Sequence, residues 1–153
     1  MKKLRIYVDT SVIGGCYDNE FRIWSNGIFK NFRLGHFQAV ISELTAVEIG
    51  NAPEQVRLKY AELKEYSEYL TVSDECTQLA DIYHKRKILT PKFYDDMQHI
   101  ALATIANVDI VVSWNFKHIV HFDKIRQFNG VNLELGYSTL QIYSPREVTN
   151  YER

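Results

Sequence analysis

Several features that would narrow the function quickly are scarce in this sequence. Only two cysteines occur, Cys16 and Cys76, far apart and without metal-ligand spacing. A disulfide framework is therefore excluded, and both read as buried apolar residues of a reducing compartment. Neither sign of charge dominates: 18 lysines and arginines face 19 aspartates and glutamates, a formal net charge of -1. Bulk positive charge is thus not available to hold a partner, and any nucleic acid must be held by local patches. Long apolar runs are missing too. No span approaches the roughly 20 apolar residues of a membrane helix. The run after Lys2-Lys3 meets Arg5 and then Asp9, unlike a secretory signal. A soluble, cytoplasmic protein with no membrane partner is expected. There is no repeat, linker or low-complexity tract. The phosphate-binding patterns Gly-x-x-x-x-Gly-Lys and Gly-x-Gly-x-x-Gly are absent, and Ser11 lacks a nucleophile elbow. Gly14-Gly15 alone reads as a tight turn or helix start.

What is present is a chain of 153 residues, 46% of them hydrophobic, enough for one domain over residues 1–153 with a real core. Short apolar runs alternate with longer helical patterns. Strands are expected at 4–9, 37–42, 70–72, 109–113 and 139–143. Helices are expected at 22–35, 43–50, from Pro53 to about Tyr69, from Ser73-Asp74 to about Lys87, at 94–107 and at 121–129. Strands alternating with helices predict an α/β fold, a parallel sheet with helices on both faces.

In such sheets, ligands bind at the carboxyl ends of the strands. That rule selects Asp9, Ser42 and Ser113-Trp114-Asn115 before any chemistry is assumed. Asp9 also has a plain structural role open to it, capping the next helix with Thr10 and Ser11. The helix over 94–107 carries an apolar stripe of Met97, Ile100, Ala101, Thr104 and Val108. Asp96 borders that stripe, whereas Asp95 faces solvent and suits the helix dipole. His99 shares a face with Asp96 and reads as a residue that orients a carboxylate. In the helix over 43–50, Glu43 suits the first turn, while Glu48 borders the apolar face and needs a partner such as a cation. Asp9, Glu48 and Asp96 therefore have routes to one strand edge. Oxygen donors without a cysteine or histidine cluster suit Mg2+ or Mn2+, and such clusters activate water and hold a phosphodiester for in-line attack.

Four segments then resemble one known family in order: Tyr7-Val8-Asp9-Thr10-Ser11-Val12-Ile13, Val40 to Ile49, Asp96-Met97-Gln98-His99-Ile100-Ala101-Leu102-Ala103, and Ile110 to His118. Across roughly residues 4–122 the chain is similar to the PIN-domain family and its VapC-like toxin ribonucleases. The resemblance implies a three-layer α/β/α fold with a central parallel sheet. It implies an acidic pocket of Asp9, Glu48 and Asp96 binding Mg2+ or Mn2+, and cleavage of RNA. It further implies a small antitoxin as partner and a homodimer. One position departs from the pattern: Asn115 stands where many catalytic members carry a fourth acid, so one well-held metal is expected. Ser11, Thr10, Asn115 and His99 are expected to support the ligands or position water.

Lys117, His118 and Lys124, with His121 and Arg126, are candidate RNA contacts. Lys85-Arg86-Lys87 reads as an ordinary solvated face. Tyr17, Phe21 and Trp24 could stack on bases but read better as packing. Two other functions stay open. An Asp9-nucleophile phosphatase would need an acid where Ser11 stands. A catalytically inactive domain could bind RNA or a protein.

Overall fold

Ile6, Tyr7 and Val8 are fully buried, and that run forms the middle strand of the molecule, β1 (Arg5–Val8). The computed structural model describes residues 2–149. All five strands are parallel, in the order β3-β2-β1-β4-β5, with β2 (Gln38–Ser42), β3 (Glu68–Leu70), β4 (Ile110–Val112) and β5 (Gln141–Tyr143). Registers such as Tyr7 with Val40 and Val111 set like-facing residues side by side. Alternation along the strands then divides the core between two faces. Tyr7, Val40 and Val111 pack with α5 (Asp74–Lys85), α6 (Tyr94–Ile105) and α7 (Phe122–Glu134). Ile6, Val8, Ala39, Ile41, Ile110 and Val112 pack on the other side. There they meet α1 (Thr10–Gly15), α2 (Arg22–Arg33), α3 (Glu43–Ile49) and α4 (Glu54–Lys64). This is the α/β/α sandwich with a central parallel sheet expected from the sequence. A last short helix, α8 (Pro145–Val148), follows β5. Among the described residues no helix is long and apolar enough to cross a membrane.

The bounds of three elements differ from expectation, one for a local reason and two for tertiary ones. Pro53 lies one residue before α4, and α4 stops at Lys64 instead of continuing to Tyr69. The Ser67 hydroxyl closes its end on the Leu63 carbonyl. The third strand then begins at Glu68, whose carboxylate meets Arg5 on β1, and it ends before Val72, whose N–H is taken by Glu43. Helix α7 runs past Asn129-Gly130 to Glu134 because Phe128, Val131 and Asn132 are buried beneath it. Asn129, where the expected helix ended, holds the backbone of Leu140 through both its amide oxygen and nitrogen.

Candidate active site

Asp9, Ser42 and Ser113 follow or end adjacent central strands, so the sheet itself delivers polar groups to one edge. Asp9 initiates α1, but its side chain makes no cap bond to the helix. Its Oδ2 accepts from the Ser11 hydroxyl at 2.7 Å and the Ser113 hydroxyl at 2.8 Å. Ser11 accepts in turn from the Trp114 N–H at 2.9 Å, and Ser113 from the Asn115 N–H at 2.9 Å. The capping role considered from sequence is thus replaced: the local hydroxyls hold the carboxylate, and the 113–115 turn is fastened to them. Trp114 is fixed from its other side by an indole bond to Ser25 at 2.8 Å. Gly15 makes room for that bond, since a Cβ there would fall 2.6 Å from Ser25 Oγ and 2.7 Å from Trp114 Nε1. Phe21 stacks on Trp114, with centroids 4.1 Å apart, and Trp24 meets it edge-on. Both aromatics therefore pack, as the sequence suggested, whereas Tyr17 is exposed.

Glu48 reaches the same edge from α3. It accepts from the Thr10 hydroxyl and lies 2.8 Å from His99 Nε2. His99 is buried, and its Nδ1 is 2.7 Å from the Tyr7 hydroxyl, which is 2.7 Å from Ser42 Oγ. An ionised Glu48 requires a proton on Nε2, which leaves Nδ1 of the neutral ring to accept from Tyr7. Burial works against ionising Glu48, but the His99 bond and charge, with Thr10, outweigh it and hold the carboxyl below its ordinary value. Burial also opposes the charged form of His99, yet Glu48, Asp9 and Asp96 together raise its pKa.

Asp96 arrives from the first turn of α6 with a half-buried side chain, while Asp95 is exposed. Its Oδ2 lies 3.1 Å from His118 Nδ1 and 3.4 Å from the Asn115 amide nitrogen. Burial and the nearby charge of Asp9 push the Asp96 carboxyl above the usual range, against the pull of His118 and His99. The Asn115 oxygen is spent on its own turn, accepting from the N–H groups of Lys117 and His118. What Asn115 offers the acids is its donor side.

Each carboxylate is therefore held by one oxygen. Oδ2 of Asp9, Oε1 of Glu48 and Oδ2 of Asp96 take every hydrogen bond that the described residues make to these groups. The other oxygen of each takes none, and no lysine or arginine among the described residues is ion-paired to any of the three. Free carboxylate oxygens with surplus negative charge fit a hard divalent cation. Among the described residues the side chains do not already close round one point as a cage of three or more such groups.

The remaining candidates divide. His118 is buried, pressed on Phe93 with centroids 3.9 Å apart, and so is not an open cation. His121 caps α7, and Arg126 lies over Phe122 near Asp123. Lys117 and Lys124 line a groove of about 730 Å³ beside His118. Sequence reasoning passed over Ser113 as a carboxylate holder, and Tyr7 altogether. A tyrosine inside a fully apolar strand was the signal, because a buried hydroxyl needs a partner.

No family model matches the sequence, and no curated protein matches it. Solved structures do match. One is the VapBC2 complex from Rickettsia felis bound to a DNA fragment from its promoter. It aligns with a TM-score of 0.61 at 14% identity, over 92% of this chain and 98% of that one. Another is DNA-bound VapBC from Salmonella typhimurium, with a TM-score of 0.58 at 14% identity, over 93% and 98%. The chain shares their fold over nearly its whole length.

Proposed function

We propose that this protein is a metal-dependent endoribonuclease, the toxin of a toxin–antitoxin pair. One observation carries the reading: Asp9, Glu48 and Asp96 reach the same carboxyl edge of the sheet, each with an oxygen that takes no hydrogen bond from the described residues and none ion-paired to a lysine or arginine among them. The shared fold of the VapBC complexes supports it, and their composition is the ground for proposing an antitoxin here.

The three carboxylates would hold Mg2+ or Mn2+. When bound, the ion stabilises charge on the phosphodiester and makes water a better nucleophile. The rest of the work belongs to the chain. Ser11 and Ser113 fix Asp9 through one oxygen, which leaves the other for the ligand. Thr10 and His99 keep Glu48 ionised, and the Tyr7 hydroxyl holds the His99 ring in place. Asn115 and His118 steady Asp96.

The test is cleavage of a mixed RNA pool by the wild type, Asp9→Asn and Asp96→Asn, with Mn2+, with Mg2+ and with EDTA. Cleavage by the wild type with metal, lost in both variants and in EDTA, supports the reading; cleavage that survives in both variants refutes it. A second reading, an inactive domain that binds RNA or a protein, is favoured by the uncharged Asn115 and by the absence of a ready cage. It predicts no heat of Mn2+ binding in calorimetry and no cleavage of any RNA. Light scattering distinguishes the homodimer expected from sequence from a monomer.

A further inference from the structure

Two basic segments about thirty residues apart in the sequence line a single groove. Lys85 and Lys87 come from the end of α5, Lys117 from the connection between β4 and α7, and Lys124 from the first turn of α7. The groove holds about 730 Å³, and no aspartate or glutamate lines it. None of the four lysines is ion-paired among the described residues. Arg86, between the first two, turns away to Glu134. Lys124 is anchored, its ammonium donating to the Ile88 carbonyl at 2.8 Å. Phe93 and His118 form an aromatic wall, and the other side of His118 is its contact with Asp96. The groove therefore adjoins the acidic cluster.

Lys87 carries an independent sign of use. Three helices end on a left-handed residue suited to that backbone: Gly35 at φ 79°, Asn107 at φ 54° and Gly136 at φ 87°. Helix α5 ends on Lys87 at φ 58°. A lysine there costs about 1 kcal/mol relative to glycine. The fold accepts that strain and thereby keeps an ammonium at the lip of the groove.

We propose that this groove holds the phosphate backbone of single-stranded RNA where the strand leaves the acidic cluster. The choice of RNA rests on the ribonuclease reading. A strand with a phosphodiester at the carboxylates must run out past one wall, and here the lysines without an ion pair among the described residues stand beyond the aromatic wall of His118 and Phe93. A chain with net charge -1 supplies that attraction only locally. An acidic protein segment is the competing occupant.

The experiment is fluorescence anisotropy of a labelled, unstructured oligoribonucleotide with the full chain in EDTA, so that cleavage plays no part. Lys85→Gln, Lys87→Gly and Lys117→Gln are each expected to weaken binding about fivefold at 0.1 M salt and to lower the salt slope by about 0.7. Lys87→Gly is expected to do so with an unchanged or higher Tm, which separates loss of a contact from loss of the fold. Lys30→Gln, on the far end of α2, serves as a control with wild-type binding. Wild-type affinity and salt slope in all three groove variants would overturn the proposal. So would absence of RNA binding by the wild type, or preferential binding of a polyglutamate peptide through the same lysines. RNA that binds through the lysines but is never cleaved upholds the groove and refutes the ribonuclease reading. Cleavage together with normal binding by the variants does the reverse.

Discussion

At the amino end of β1, Arg5 forks onto both oxygens of Glu68 at 2.7 and 2.9 Å, and it also donates to the Ala106 and Asn107 carbonyls. Its backbone N–H is taken by Asp109. At the carboxyl end of the same strand, four residues later, Asp9 stands beside Glu48 and Asp96 with two histidines and, among the described residues, no arginine or lysine paired to them. The first end sets an arginine among its acids, paired bidentately with Glu68, the stronger kind of ion contact, and facing Asp109 as well. The second stays in surplus, with Asp9 opposing the ionisation of Asp96. Structure alone does not require the surplus, since the amino edge shows how this fold settles a charge when nothing else is at stake. The proposed cation would supply at the carboxyl edge the charge that Arg5 supplies at the amino edge.

That contrast can be broken at either end. The largest effect expected is on cleavage by Asp9→Asn, a loss of about a thousandfold or ~4 kcal/mol in kcat/KM, with unchanged circular dichroism. Next, Mn2+ at about a hundred times its Kd is expected to stabilise the wild type by about 2.7 kcal/mol in thermal unfolding. In Asp9→Asn that stabilisation is expected to be absent. Arg5→Met at the balanced edge is expected to lose about 2 kcal/mol in urea, with or without metal, because Glu68 and the helix-end carbonyls lose their donor.

The two smallest effects are opposite in sign. Asn115→Asp adds a fourth acid to a cluster without a cation and is expected to destabilise the metal-free protein by about 1 kcal/mol while enlarging the Mn2+ response. Asp96→Asn is expected to stabilise the metal-free protein at neutral pH, by up to about 1 kcal/mol. The sign follows from the raised Asp96 pKa: the fold favours the protonated carboxyl, so stability is lost as pH rises through that value, and an amide avoids the loss. Destabilisation by Asp96→Asn in EDTA would mean that the cluster is not in surplus.

The parallel sheet with helices on both faces and the approach of Asp9, Glu48 and Asp96 to one strand edge were legible because they follow from local rules: strand ends, helix faces and spacing. Asp96 and Asp95 are neighbours on a helix, and the structure half-buries the one that periodicity selects while leaving the other exposed. The third strand and the end of α7 were misplaced because Glu68 and Asn132 are held by residues far off in the chain, Arg5 in one case and Tyr83 and Thr104 in the other. The same distance hid the lysine groove. Lys85 to Lys87 looked like a solvated face because nothing local shows that Lys117 and Lys124 stand across from it. His118 looked like an open cation because its burial against Phe93 is a tertiary fact.

The bond from Ser113 to Asp9 spans 104 positions of the chain, and that from His118 to Asp96 completes the cluster only five residues further on. During synthesis the first acid therefore leaves the ribosome with Ser11 but long before Ser113, its other holder. Every shorter nascent chain, and either product of a cut between α3 and α6, lacks an assembled cluster. Under the proposed function the chain would have no assembled site until about three-quarters of it has been made, and a two-fragment reporter split in the α4–α5 region would regain its site only on reassembly.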